Sequence, residues 1–140
     1  MGEIPGKAAR IQTVLSMVSA FQEGRLEDLQ RLVSPAVVVQ VKGNNPYAGT
    51  YEGVGSAMAF VAKARQWIDP ATVSIEAIER EDSPMVSVSA QVVGMGNERT
   101  NARLIVEYFF EENGRVNRAV VRAQDQRALD RVLRGWSAGS

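Results

Sequence analysis

The spacing of apolar residues changes period once, near Thr72, and that change limits the chain to a small set of folds. Before it, apolar side chains recur at helical spacing; after it, they alternate. Ile11, Val14, Leu15, Val18 and Phe21 mark a helix over 7–23 that Gly24 stops. Leu26, Leu29, Leu32 and Val33 mark a shorter second helix, ended by Ser34-Pro35. Val37 to Val41 is a β-branched strand. Val54, Ala57, Met58, Val61, Ala64 and Ile68 form the stripe of a third helix, closed by Asp69-Pro70. Four strands follow near 72–81, 85–95, 101–111 and 115–123. Their breaks fall at Asp82-Ser83-Pro84, at Gly94-Met95-Gly96-Asn97 and at Asn113-Gly114, the last a tight-hairpin signal. Asp125 is placed to cap a final helix carrying Ala128, Leu129, Val132 and Leu133.

The order ααβαββββα predicts an α+β fold, a strongly curved antiparallel sheet with helices packed on its concave face. Such a bend leaves a hollow that helices fill only in part, and hollows of this kind take small molecules. A chain of 140 residues is expected to make one domain over 1–140, with a core that needs no staples.

Composition narrows the chemistry. The chain has no cysteine and no histidine, which removes thiolate nucleophiles, zinc–thiolate sites, imidazole acid–base work and Ser-His-Asp catalysis. A metal would need carboxylates alone, and no Asp/Glu cluster has ligand-loop spacing, so neither metal nor cofactor is expected. The 16 basic side chains balance the 16 acidic ones, leaving no electrostatic footprint for nucleic acid or an anionic membrane. No apolar run approaches a membrane span and no leader pattern opens the chain, so a soluble cytoplasmic protein is expected. Gly53-Val-Gly55 is not a nucleotide fingerprint, because the third glycine is missing.

Three local patterns carry a resemblance. They are Gly24-Arg-Leu-Glu-Asp-Leu, then Gly43-Asn-Asn-Pro-Tyr-Ala-Gly-Thr-Tyr-Glu-Gly53, then Phe110-Glu-Glu-Asn-Gly-Arg-Val116 followed by Asp125-Gln126-x-Ala-Leu129. In this order, over roughly residues 8–134, the chain resembles the nuclear transport factor 2-like superfamily, in particular its SnoaL-like and ketosteroid-isomerase-like branch. The resemblance implies a cone-shaped fold, a ligand pocket and a homodimer through the outer sheet face. It does not imply one substrate, since the branch includes isomerases, dehydratases, polyketide cyclases and proteins with no established reaction. Carried over residue by residue, the ketosteroid-isomerase site fails here. The general base falls on Gln40, the oxyanion-binding tyrosine on Met17 and the protonated acid on Val106. An amide cannot take a carbon-bound proton, and neither Met nor Val can stabilise an enolate oxygen.

The candidates that remain are few. Gln40 shares a strand face with Val38, opposite Val37, Val39 and Val41, and faces either the cavity or solvent. Tyr47 and Tyr51 lie in the loop before the third helix and offer phenols at the cavity mouth, or pack beneath the loop. Val106, Tyr108 and Phe110 alternate onto the expected pocket side, as aromatic lining or ordinary core. Met17, Phe60 and Trp67 can extend the same wall. Glu107 falls on the opposite face with Arg103 and Arg122. A one-residue register shift would turn it inward as the best available general base. These residues suggest a cyclase- or isomerase-type pocket for a hydrophobic polyketide- or terpenoid-like intermediate. Gln40, Tyr51 and Glu107 are its catalytic candidates, and substrate pre-organisation supplies most of the effect. The alternative is a non-catalytic ligand-binding or dimeric interaction module.

Overall fold

The computed structural model describes residues 6–70, 73–80, 85–95 and 99–139. In chain order these form α1 (Lys7–Glu23), α2 (Leu26–Arg31), β1 (Val33–Val41), β2 (Gly49–Glu52), α3 (Gly53–Trp67), β3 (Ser74–Arg80), β4 (Met85–Met95), β5 (Arg99–Phe110), β6 (Val116–Ala123) and α4 (Gln126–Gly139). The six strands make one open sheet in the order β2-β1-β6-β5-β4-β3. The cone-shaped α+β architecture is therefore present, with some differences from the sequence reading.

First, the sheet is mixed. β1 runs parallel to β6, with Val39 opposite Ala119 and Gln40 opposite Val120, while every other pair is antiparallel. That pairing joins segments far apart in sequence, and periodicity carries no information about it. Second, the Gly/Pro-rich connection contains a short edge strand, β2, which pairs back onto β1. β1 also begins at Val33 rather than Val37, with a register irregularity between Val33 and Val38. Pro35 disfavours helical geometry at Ser34, so the chain is already extended there.

Gly24 ends α1 in the left-handed region (φ 74°), its N–H reaching the carbonyls of Ala20 and Phe21. Arg65 of α3 completes that helix end from outside, its Nε donating to the Phe21 carbonyl at 2.7 Å. A cation at a helix C-terminus is favourable, and this one fixes α3 against α1. The inward faces of both helices, Val14, Met17 and Ala20 on α1 with Ala57, Phe60 and Ala64 on α3, are buried against the sheet. Each large apolar side chain so covered contributes on the order of 1.5–3 kcal/mol.

The β5–β6 hairpin turns through Glu112-Asn113-Gly114. Gly114 is left-handed (φ 88°), its N–H bonds to the Glu111 carbonyl at 3.0 Å, and the Asn113 side chain accepts from the Arg115 N–H at 2.9 Å. This turn sets which residues of β5 face inward. Asp125 caps α4 as expected, accepting from the Ala128 N–H at 3.1 Å. The break expected at 82–84 lies outside the described residues; of the one expected at 94–97, Gly94 and Met95 still belong to β4 and the rest lies outside them.

Candidate functional site: an apolar cavity behind the curved sheet

Between α1, α3 and the inner sheet face lies a cavity of about 180 Å³. Alternation along the strands builds its wall. Val37 and Val39 of β1, Ala119 and Val121 of β6, Leu104, Val106 and Tyr108 of β5, and Val88 and Ala90 of β4 all point into it. Met17 and Phe21 close it from α1, and Ala57, Phe60 and Ala64 from α3. The void exists because four of these positions are alanine. Ala119 sits directly between Val39 and Tyr108 in one row across the sheet, so the row dips where a larger side chain would fill it.

The wall is apolar almost throughout. Among the described residues no carboxylate, ammonium or guanidinium lines the cavity, and Tyr108 brings the lone side-chain hydroxyl. Burial pushes the Tyr108 phenol up to about 12, so at neutral pH it is a hydrogen-bond donor and not a base. Tyr108 lines the void and is only partly covered.

The residues singled out from sequence divide into groups. Met17, Phe60, Val106 and Tyr108 line the cavity. Phe110 shares the inward face of β5 but is packed core, 5% exposed, and is not part of the lining. Trp67 ends α3, and its side chain lies outside the described residues. Gln40 does not reach the cavity. Its carbonyl accepts from Arg118 Nη2 on the outer sheet face, where Arg118 also lies over the Phe109 ring at 5.5 Å. The register places Glu107 on that outer face too, opposite Ser87 and Val120, so the inward-shifted alternative is not the one adopted. Val39 and its neighbours take the buried face of β1, and a strand cannot present both faces to one core.

Tyr47 and Tyr51 do not line the cavity either. Tyr51 donates to the Tyr47 carbonyl at 2.6 Å, and its ring lies 4.7 Å from Phe60, behind the wall. Burial raises both phenols above their ordinary value, Tyr47 further through the neighbouring Tyr51. Lys63 sits over the Tyr47 ring at 5.9 Å. Tyr51 packs on Phe60, and neither tyrosine is part of the cavity lining.

The sequence reading assigned no role to Asp130, which is buried in α4 and gathers the Gly43-Asn-Asn turn around itself. The signal was the two asparagines after a glycine; the partner helix could not be read from them. Elsewhere, a wider groove of about 480 Å³ beside α1 and α2 holds Arg25 and Arg31, but Asp28 pairs with both at 2.6 and 2.9 Å. It is an open charged surface and encloses nothing.

The open curved sheet, its helical cover and the void make a cone-shaped pocket fold, shared with solved structures described as NTF2-like. No protein-family profile matches the chain, and no curated protein matches it. Solved structures do. Bal32a from a soil-derived mobile gene cassette is 19% identical with a TM-score of 0.82, over 91% of this chain and 98% of that one. A putative SnoaL-like polyketide cyclase from Jannaschia sp. CCS1 is 17% identical with a TM-score of 0.76, over 94% and 97%. RV0760c from Mycobacterium tuberculosis, solved in complex with estradiol-17beta-hemisuccinate, is 16% identical with a TM-score of 0.68, over 81% and 92%. At these identities the likeness is one of fold. No helix among the described residues is long and apolar enough to cross a membrane.

Proposed function

We propose that this chain holds a small hydrophobic molecule in the cavity behind its sheet, without a cofactor. One observation carries the reading: the cavity wall is apolar except for a single phenol. An engineered apolar cavity of about 150 Å³ stays dry and binds benzene, and the cavity here is slightly larger. A steroid-sized ligand such as that on RV0760c would require the walls to part. A cavity of about 180 Å³ takes a single ring.

The second reading is a cyclase or isomerase acting on a hydrophobic intermediate, favoured by the SnoaL-like neighbour from Jannaschia. With no histidine in the chain and no carboxylate on the wall, such a reaction would be intramolecular. Holding the substrate in a reactive shape can then supply up to about 7–11 kcal/mol. Gln40, Tyr51 and Glu107 would act on it only indirectly, and Tyr108 replaces them as the polar contact. A homodimer through the outer sheet face belongs to either reading. Ile105 and Phe109 lie there only half covered, the apolar surface a second copy would bury.

Calorimetric titration with isopropylbenzene tests the binding reading against the variant Ala119→Leu, which fills the void. The wild type is expected to bind saturably, and the filled variant to fold and lose binding by more than tenfold. Equal binding by both would remove the cavity from the account.

A further inference from the structure

Tyr108 is the one wall residue whose presence packing does not explain. A phenylalanine would fill the same space, and an unpartnered hydroxyl in an apolar enclosure is a net cost. Its hydroxyl makes no hydrogen bond among the described residues, and on the neighbouring strands Tyr108 stands opposite Val86 and Ala119. Tyr108 keeps some exposed surface, and a water beside its hydroxyl would meet no second polar side chain on this wall. A ligand carrying an acceptor can displace such a water and take the bond.

Building on the binding reading above, we infer that Tyr108 donates a hydrogen bond to a single oxygen acceptor on an uncharged ligand about one ring in size, a ketone or ether carried on a hydrocarbon body. The charge follows from the wall. A carboxylate or ammonium would be stripped of water with no opposite charge to meet it, a penalty that burial of the ring does not offset. The single acceptor follows from the single donor, since a second oxygen would be buried unsatisfied. The size follows from the volume of about 180 Å³. The raised phenol pKa agrees, because the group stays a donor across the whole neutral range.

The test compares three probes of one shape on the wild type and on Tyr108→Phe, by calorimetric titration. Acetophenone has the ketone, isopropylbenzene replaces it with a hydrocarbon branch, and benzoate carries a charge. Acetophenone is expected to bind the wild type and to weaken about three- to tenfold in the variant, while isopropylbenzene changes less than twofold. Benzoate is expected to bind neither. Tyr108→Phe removes one oxygen that holds no partner, so the variant folds, and a thermal melt checks it. Acetophenone binding equally to both proteins would overturn the role of Tyr108 and leave the hydrophobic-pocket reading standing. Benzoate binding as tightly as acetophenone would overturn the neutral-ligand claim. Failure of both neutral probes on the wild type would sink this inference and the pocket reading together.

Discussion

The Asn45 side-chain amide donates to Asp130 Oδ1 at 2.7 Å, joining the turn after β1 to α4 across 85 positions of sequence. The same carboxylate takes the Asn44 N–H at 2.9 Å and Gln126 Nε2 at 2.9 Å, while Arg134 returns a bond to the Asn44 carbonyl at 2.9 Å. One aspartate thus clamps the Gly/Pro-rich loop to the last helix.

Burial alone would raise the Asp130 carboxyl. The bonds from Gln126, Asn45 and the Asn44 N–H, with the charge of Arg134, outweigh it and hold the group below the ordinary carboxylate value. A folded pKa below the unfolded one gives stability that is complete above the unfolded value and lost as pH falls through the folded one. Asp130→Ala is therefore expected to cost about 1–3 kcal/mol in urea denaturation at pH 7. The gap to the wild type should narrow below about pH 4. A gap unchanged down to pH 2 would mean the charge is not what holds the loop.

Gly43 occupies backbone that side chains rarely adopt (φ 120°), and a methyl group there would run into Asp130 Oδ1 and Gln126 Nε2. Gly43→Ala is expected to lose about 1–3 kcal/mol. Gly55, exposed in the first turn of α3 with open space around it, is the control. Gly55→Ala should gain about 0.4–1 kcal/mol by restricting the unfolded chain. Chemical denaturation of the two variants side by side reads both signs.

Alkaline stability reports on Tyr108. Its phenol stays protonated in the folded state up to about 12, while the unfolded chain ionises near 10. The unfolded state then binds fewer protons over that window, so stability falls as pH rises from 10 to 12 and is untouched below it. The loss from this group amounts to about 2–3 kcal/mol. Tyr108→Phe should lack that share of the decline, which urea midpoints at pH 8, 10 and 11.5 would reveal.

Gln40 supplies a negative test. Because it pairs with Arg118 on the outer face, Gln40→Leu should leave isopropylbenzene affinity within about twofold of wild type. A tenfold loss would place that side chain inside. The same substitution touches the face expected to dimerise, so sedimentation of this variant belongs in the experiment.

Much of this architecture was legible because local chemistry dictated it. The left-handed Gly24, the Asn113-Gly114 turn and the Asp125 cap each fix an element boundary through their own backbone or side-chain preferences. The hairpin anchor also put Val106 and Tyr108 on the inner face. What stayed open were facts set by distant partners. The orientation of β1, and with it Gln40, depends on the parallel pairing with β6. The role of Tyr51 depends on the Tyr47 carbonyl and the Phe60 ring beneath the loop, and Asp130 matters only once α4 meets the turn. The void itself is a property of four alanines spread over α3, β4 and β6, each unremarkable alone.

Diffraction from crystals pressurised with xenon bears on the central claim without intermediaries, because xenon enters dry apolar cavities and little else. The account predicts a xenon peak enclosed by Met17, Phe60, Val106 and Tyr108, and its disappearance in Ala119→Leu. A wild-type interior that takes up no xenon, its walls closed side chain to side chain, would contradict it.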